Sequence, residues 1–241
     1  MGTTYLELTN RVLRKLNQVE LTTLTFPTAT GFHALCKDLV QEAIDKINQE
    51  SLRWPFNHVD ATLTLVADTN RYTIPTASRI VDWNSFFMEE DAALEVSAKP
   101  IPYIAYMEWH NRFRGSEQLA TTGSVNYPSQ VYRTRDEEIG ISPIPDRAYT
   151  ISYEYWSVPA RLDLHSDTTV IPTEYDSLII SYAMIGGYRF RENFEMAGVE
   201  YSTFKETLKD MKKVLIPDGI SYAYDTRTRR VKGTNRSSWS K

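Results

Sequence analysis

The sequence has one cysteine, Cys36, among 241 residues, so an internal disulfide framework is excluded. It also lacks any apolar run near the roughly 20 residues that a membrane span needs. At the N-terminus there is no basic segment followed by an apolar block, as a signal peptide would have. With 41% hydrophobic and 24% charged residues, the composition is that of a soluble globular protein of one large or two small domains. These absences predict synthesis in the cytoplasm and no membrane partner.

Motifs of common enzyme classes are missing as well. The sequence contains no GxxxxGK[ST] loop, no GxGxxG and no GxSxG, so neither a phosphate cradle nor a nucleophile elbow is predicted. His33 and Cys36 are three residues apart on a predicted helix and could share a metal ion. Because no second pair of ligands accompanies them, a Cys36 that fills the core is the favoured interpretation. No cofactor and no metal are predicted.

Acidic clusters at residues 89–91 and 136–138 leave one catalytic alternative open. A glycosidase needs a protonated acid in an apolar pocket and an ionised partner across the scissile bond. The second cluster, in "RTRDEEIG", joins two predicted strands, which is typical of a solvated turn. A carbohydrate-active or cell-wall-degrading protein, with Glu138 or Glu154 as the general acid, is therefore the alternative to a non-enzymatic role. Loss of activity on peptidoglycan in Glu138→Gln or Glu154→Gln would support it.

Helical periodicity occupies both ends of the chain. Apolar residues recur every three or four positions over residues 5–16, with Thr3 or Thr4 as the N-cap, and over residues 32–50. Helices resume at Thr173, which precedes Asp176 at the spacing of a capping box. The last helix carries apolar residues at a strict heptad spacing, which predicts a seam that packs against the first or second helix, within or between subunits. The seam consists of Phe194, Ala197, Tyr201, Phe204, Leu208, Met211 and Leu215.

Between these helices, residues 60–156 alternate with a period of two. In "AYTISYEYW", Tyr149, Ile151, Tyr153 and Tyr155 point to one face, as in a strand with one buried side. The stretch "ATLTLVADTNRYTIP" predicts a hairpin, "SRIVDWNSFF" a further strand, and "QVYRT", "IGIS" and "AYTISYEYW" a meander of three strands. A short helix is expected in "YIAYMEWHNRF", with Ile104, Met107 and His110 on one side, and a polar loop at residues 114–128.

The predicted fold class is therefore α+β. Residues 1–57 and 173–217 are predicted to form one α-helical bundle domain, residues 58–172 a mostly antiparallel β-rich insertion domain, and residues 218–241 an extended basic arm. Gly186 and Gly187 lie inside a predicted helix, where glycine is unfavourable, which indicates close packing or a bend.

The arm differs from the rest of the chain in charge. From residue 217 onward, six cationic side chains oppose two acidic ones; this tail is +4 and residues 1–216 are −8. The favoured interpretation is an arm that docks on a partner protein; a plain flexible end and a contact with nucleic acid remain open. The candidate binding residues are Tyr222, Tyr224, Arg227, Arg229, Arg230, Arg236 and Trp239.

Several stretches together resemble podophage head-to-tail adaptor (connector) proteins of the tail tubular protein A type. They are "TYLELTNRVLRKLNQVELTTL", "DLVQEAIDKINQESLRWPFN", "TLTLVADTNRYTIP", "IVDWNSFF", "EIGISPIPDRAYTISYEYW" and "VIPTEYDSLIISYAMIGGYRFRENFEMA". The resemblance implies a virion protein at the head–tail junction, in a ring of twelve subunits beneath the portal. It implies that the C-terminal extension reaches the portal and that the β-rich part faces the tail nozzle or other tail proteins.

Two expectations follow from this resemblance. The aromatic faces of the sheet should pack against another subunit or a tail protein, through Tyr149, Tyr153, Tyr155 and Trp156. Double-stranded DNA should pass through the ring without specific binding, and an acidic lining would avoid gripping its phosphates. Ordinary solubilising charge explains the value of −8 equally well.

Overall fold

A computed structural model describes residues 2–91, 97–117 and 125–216 of the chain. The fold is α+β with antiparallel sheets, as predicted. The first helices, α1 (Tyr5–Lys15) and α2 (Phe32–Glu50), and the last, α5 (Asp176–Phe190) and α6 (Phe194–Leu215), form the helical part. Within the described ranges, no helix is both long and apolar enough to cross a bilayer.

The β part lies between these helices in sequence and begins after a 3-10 turn at Pro55–Asn57. Its elements are β1 (His58–Leu65), β2 (Arg71–Tyr72), β3 (Ser78–Val81), β4 (Phe87–Met88), β5 (Lys99–Pro100), α3 (Tyr106–Arg112), α4 (Arg114–Glu117), β6 (Val125–Asn126), β7 (Gln130–Arg133), β8 (Ile139–Ser142), β9 (Ile144–Pro145) and β10 (Tyr149–Ser157).

One apolar core is shared by α1, α2, α5 and α6. Helix α5 lies at its centre and packs against each of the other three. Helix α1 begins where the sequence predicts, because the Thr4 side chain accepts a hydrogen bond from the Glu7 amide and so caps the helix. Cys36 is fully buried in this core, among apolar side chains.

The predicted capping box at Thr173 is wrong. Residues Thr173–Tyr175 form a 3-10 turn, α5 begins at Asp176, and no side chain caps it. The Asp176 carboxylate instead accepts hydrogen bonds from the Thr3 hydroxyl (2.5 Å) and from Arg11 (2.8 Å). Arg11, which is distant in sequence, thus binds this carboxylate in place of the local helix cap. The spacing of residues in the sequence does not reveal this contact.

The heptad seam of α6 is buried in part. Ala197, Phe204, Leu208 and Met211 lie in the core, whereas Phe194 and Tyr201 are exposed. Within one subunit the expected partner, α1 or α2, is wrong: the seam packs mainly against α5, where the rings of Tyr182 and Phe204 are 5.0 Å apart. Packing of the seam against a helix of another subunit stays a prediction. The turn between α5 and α6 is only three residues long, which makes the two helices neighbours in space.

The two glycines in α5 lie at close helix contacts, as predicted. A Cβ atom on Gly186 would lie 2.1 Å from Leu39 Cδ2, and one on Gly187 would lie 2.6 Å from Leu16 Cδ1. The missing side chains therefore allow α5 to approach α1 and α2.

Strand β10 is the centre of the larger sheet. It pairs with β1 over eight antiparallel positions, from His58 opposite Trp156 to Leu65 opposite Tyr149. Its other edge pairs with β3 and β4, and β5 extends the sheet beyond β4. The smaller sheet has the order β2–β8–β7, and β6 and β9 form a parallel pair. The prediction of mostly antiparallel pairing is confirmed.

Two predicted connections in the β part are wrong. Strands β1 and β2 do not form a hairpin, because β1 pairs with β10 and β2 with β8. Strand β10 likewise leaves the predicted meander, although β7 and β8 do pair through the "RTRDEEIG" turn. Strand β10, with nine residues, offers β1 many more backbone hydrogen bonds than β2, which has two. Strand β1 therefore pairs with β10, although about 90 residues separate them in sequence.

Helix α3 is confirmed, and the side that carries Met107 is not the buried one. Met107 is 55% exposed, and the buried residue of the helix is Trp109. Its indole stacks on the Tyr132 ring with centroids 4.2 Å apart, because the flat face of a tryptophan gains more from an aromatic partner than Met107 would. The predicted loop at 114–128 contains α4 and β6, and residues 118–124 lie outside the described ranges.

Candidate functional site

The aromatic residues predicted on the two faces of β10 lie mainly inside the chain. Tyr149 and Tyr153 are 3% and 4% exposed, and Trp156 is also largely buried. Tyr153 stacks on Phe86 with nearly parallel rings, and Tyr149 donates a hydrogen bond of 2.6 Å to Asp146. Burial raises the pKa of both tyrosines, since it disfavours the charged phenolate. These side chains hold the sheet together in a single subunit.

Tyr155 is the member of this set that stays half-buried. Its Cα lies opposite Val59 on β1 and Val81 on β3. A contact of the four aromatic residues with another subunit or a tail protein stays a prediction. In such a contact Tyr155 would touch the partner, and the three buried residues would hold the strand in position behind it.

The predicted arm residues, Tyr222 to Trp239, lie outside the described residues, but the place where the arm begins is described. At the C-terminal end of α6, Lys205, Lys209, Lys212 and Lys213 line a cavity of about 500 Å³ together with apolar side chains. Lys212 donates a 2.9 Å hydrogen bond to Glu50 at the end of α2, and this bond is the main cause of a lowered Glu50 pKa. The basic character of the arm therefore continues back into the folded body.

An apolar surface covers the opposite end of the helical part. Phe190 and Phe194, on either side of the α5–α6 turn, are 63% and 70% exposed, and Val19 in the α1–α2 loop is 79% exposed. The Phe190 ring is 5.3 Å from that of Phe32, and His33 Nε2 is 3.0 Å from the Val19 carbonyl oxygen, which places these residues at one end. We call Val19, Phe190 and Phe194 the end patch. Exposed aromatic side chains of this kind are typical of surfaces that contact other proteins.

Close helix contacts at glycines, the exposed end patch and a basic terminal segment are all features that suit an assembly protein. The sequence profile of the SU10 adaptor protein family matches residues 3–235. The chain belongs to this family. No curated protein matches the chain at a significant level. The family match confirms the resemblance to phage head-to-tail adaptors, and it assigns the chain a structural adaptor role in a phage virion.

The acidic residues considered for catalysis have ordinary surroundings in this adaptor. Glu138 lies in the β7–β8 turn, where its amide donates to the Thr134 hydroxyl. Glu154 lies on β10 with 47% of its side chain exposed, and it contacts His58. Three cavities of about 500 Å³ in the described part are lined by neither residue. Membership in a structural adaptor family favours a non-enzymatic role.

The contact that sequence reasoning missed in the adaptor is the buried one around Asp176. Its side chain is 5% exposed, yet it joins α5 to α1 through Arg11 and to the N-terminal segment through Thr3. The Thr3 carbonyl also accepts a hydrogen bond from the Thr169 amide. An aspartate at the start of a helix is common in any sequence, so only the three-dimensional proximity of Arg11 distinguishes this one.

Proposed function

We propose that the chain assembles into a ring of twelve subunits, which joins the portal to the tail and surrounds the channel for DNA. The observation that carries this proposal is the match to the SU10 adaptor protein family, which extends from residue 3 to residue 235 and so includes most of the arm. The resemblance to podophage head-to-tail adaptors supplies the subunit number and the position beneath the portal.

The charge distribution supports this arrangement. Residues 1–216 carry a net charge of −8, and an acidic channel would repel DNA phosphates rather than hold them. Under this proposal the helical part and the β part are separate domains. The β part faces the tail, and Tyr155 lies at the contact there.

The arm is proposed to bind the portal. Its apolar content is low, so it cannot bury enough surface to order itself and gains order on a partner. Tyr222, Tyr224 and Trp239 would fill pockets on that partner, and the arginines would pair with carboxylates beside them. At about 3.3 Å per residue, the 25 residues from 217 onward could extend roughly 80 Å.

Electron microscopy of negatively stained protein, alone and mixed with the portal protein of the same phage, tests the ring. The expected result is a closed ring whose class averages show twelvefold symmetry and whose axis coincides with that of the portal. A protein that remains monomeric with the portal at micromolar concentrations would contradict the proposal. Rings of another symmetry would contradict only the subunit number.

Variants of the arm test the portal contact separately. Deletion of residues 218–241 should leave the folded body intact and abolish portal binding, whereas Trp239→Ala and the joint change Arg229→Ala, Arg230→Ala should each weaken it. The matched control is the joint change Lys205→Ala, Lys209→Ala, which removes two cations from the body. Full portal affinity in the deletion variant would show that the arm is not the docking segment.

A nucleic-acid role for the arm makes a different prediction. The isolated arm would then bind DNA with an affinity that falls with salt, at a log–log slope near −0.9 for each phosphate contacted. Portal binding through buried aromatic side chains has a weaker dependence on salt. Titrations of the arm peptide with duplex DNA and with portal, each at two salt concentrations, separate the two possibilities.

A further inference from the structure

Two carboxylates and one imidazole converge on a single face of the β1–β10 pair. His58 and Asp60 are two residues apart on β1 and therefore point to the same side of the sheet. The antiparallel register places Asp60 directly opposite Glu154 on β10. Like charges in directly opposite positions destabilise a sheet, so a positive group between the two carboxylates would stabilise this arrangement.

The distances between the side chains match those around a metal ion. His58 Nε2 lies 3.1 Å from a Glu154 carboxylate oxygen and 3.8 Å from an Asp60 carboxylate oxygen. All three ligand atoms lie within 4.8 Å of one another. Ligands of tetrahedral Zn²⁺, at about 2.0–2.2 Å from the metal, are roughly 3.3–3.6 Å apart. Small rotations of side chains would suffice to bring the three atoms to these separations.

The three residues are supported by the sheet and not by a loop. The imidazole of His58 meets the Trp156 ring edge to face, with centroids 5.5 Å apart. The Glu154 amide donates a 2.8 Å hydrogen bond to the Ser85 hydroxyl. Glu154 lies opposite Asp60 of β1, and on its other side its carbonyl accepts a hydrogen bond of 2.9 Å from the Asp82 amide. The sheet thus fixes the backbone positions of the three ligands, and only their side chains, of which Asp60 is 83% exposed, turn when a metal binds.

We propose that His58, Asp60 and Glu154 bind one Zn²⁺ ion, with water as the remaining ligand. Imidazole nitrogen and carboxylate oxygen are both ordinary zinc ligands, and the imidazole favours Zn²⁺ over Mg²⁺ and Ca²⁺, which prefer oxygen alone. The ion neutralises the opposed carboxylates and links β1 to β10. His58 follows directly on the 3-10 turn that comes from α2, so the ion also holds the start of the β part in place.

The proposal is tested on the full chain without a polyhistidine tag, stripped of metal with a chelator and titrated with ZnCl₂ by calorimetry. One Zn²⁺ should bind per chain, and binding should raise the thermal midpoint because the ion binds only the folded protein. Excess Mg²⁺ should not compete. Co²⁺ in place of Zn²⁺ should give the visible absorption of a four-coordinate site with nitrogen and oxygen ligands.

His58→Gln, Asp60→Asn and Glu154→Gln should each weaken Zn²⁺ binding by at least the 10–100-fold that loss of a supporting group costs. His33→Gln and Asp68→Asn are the controls, since His33 binds the Val19 carbonyl and Asp68 lies in the turn after β1. Circular dichroism confirms that each variant is folded. Absence of binding, or equal affinity in the three cluster variants and the controls, would overturn the proposal and leave an imidazole–carboxylate contact only. Because the assay needs neither ring nor portal, its outcome is independent of the proposed function.

Discussion

The guanidinium of Arg11 lies 2.8 Å from the carboxylate of Asp176 and so joins helices 165 residues apart in sequence. Arg11 is 36% exposed and also contacts Glu7 at 2.6 Å, whereas Asp176 is buried. The pKa of Arg11 is raised, first by its hydrogen bond to Glu7 and then by the charges of Glu7 and Asp176. Without Asp176, Arg11 therefore keeps an ionic partner in Glu7, whereas without Arg11 the buried Asp176 carboxylate keeps only the Thr3 hydroxyl.

Removal of the cation should cost more stability than removal of the charge on the acid. Arg11→Met leaves a buried carboxylate with only Thr3 as a partner, and should lower the free energy of unfolding by about 2–4 kcal/mol. Asp176→Asn leaves Arg11 paired with Glu7, and should cost about 1–2 kcal/mol. Urea denaturation measures both. The matched control is Arg14→Met, which breaks an exposed pair with Glu20 and should cost less than about 1 kcal/mol. An equal loss in Arg11→Met and Arg14→Met would contradict the buried role.

Alanine at Gly186 and at Gly198 should change stability in opposite directions. A Cβ on Gly186 meets Leu39 at 2.1 Å, so the helices must separate or repack, at about 1–3 kcal/mol. Gly198 lies in α6 with open space around it, and Gly198→Ala should stabilise by about 0.5–1 kcal/mol through helix propensity. Thermal and urea unfolding of the two variants provide the comparison. A Gly186→Ala variant as stable as Gly198→Ala would show that α5 does not approach α2 as described.

The buried half of the α6 seam should be sensitive to truncation. Phe204→Ala and Leu208→Ala should each lower the free energy of unfolding by about 2–5 kcal/mol, because both side chains lie in the core against α5. Val214→Ala, at a position 71% exposed, is the control and should change it by less than about 0.5 kcal/mol. Unchanged unfolding midpoints in both core variants would place the seam at the surface.

Cys36 should be unreactive in the folded protein. Burial raises the pKa of its thiol from 9.0 to about 11, which leaves about 100-fold less thiolate at pH 8 than in the unfolded chain. Iodoacetamide should therefore label the native protein at least about 100-fold more slowly than the protein in urea. Rapid native labelling would show that the α2 core opens easily.

The same shift sets a pH dependence with a definite sign. Folding favours the neutral thiol, so its contribution is complete below pH 9 and is lost as the pH rises towards 11. The free energy of unfolding of the wild type should accordingly fall more steeply over this range than that of Cys36→Ala. Parallel slopes in the two proteins would mean that the thiol does not titrate differently on folding.

Local patterns in the sequence sufficed for most of the secondary structure. The helices α1 and α2 follow from apolar residues at helical spacing, and β10 follows from its alternating tyrosines, because each pattern reports which face of one element is buried. The close packing at Gly186 was also predictable, since glycine within a helix is unfavourable without a reason of this kind.

Pairing between distant elements was not predictable in this way. The partner of β1 is β10 and not β2, and the partner of Asp176 is Arg11 and not its own helix terminus. In both cases a partner nearby in sequence competes with a distant one. A single sequence does not show how strong the contact with the distant partner is. The cluster of His58, Asp60 and Glu154 was missed for the same reason, because it exists only in the register of two strands that are far apart in sequence.

The order in which the chain is synthesised imposes a delay on its first helices. Helices α1 and α2 bury their apolar faces against α5, but residues 51–175 must leave the ribosome before α5 does. At 5–20 residues per second this takes roughly 6–25 s. During that interval the N-terminal helices lack their main partner, while the β part, whose core is its own, already has every strand that it needs. During synthesis the β part can therefore fold while α1 and α2 still expose the apolar faces that α5 will cover. A chaperone would bind the chain at this stage, through those exposed faces.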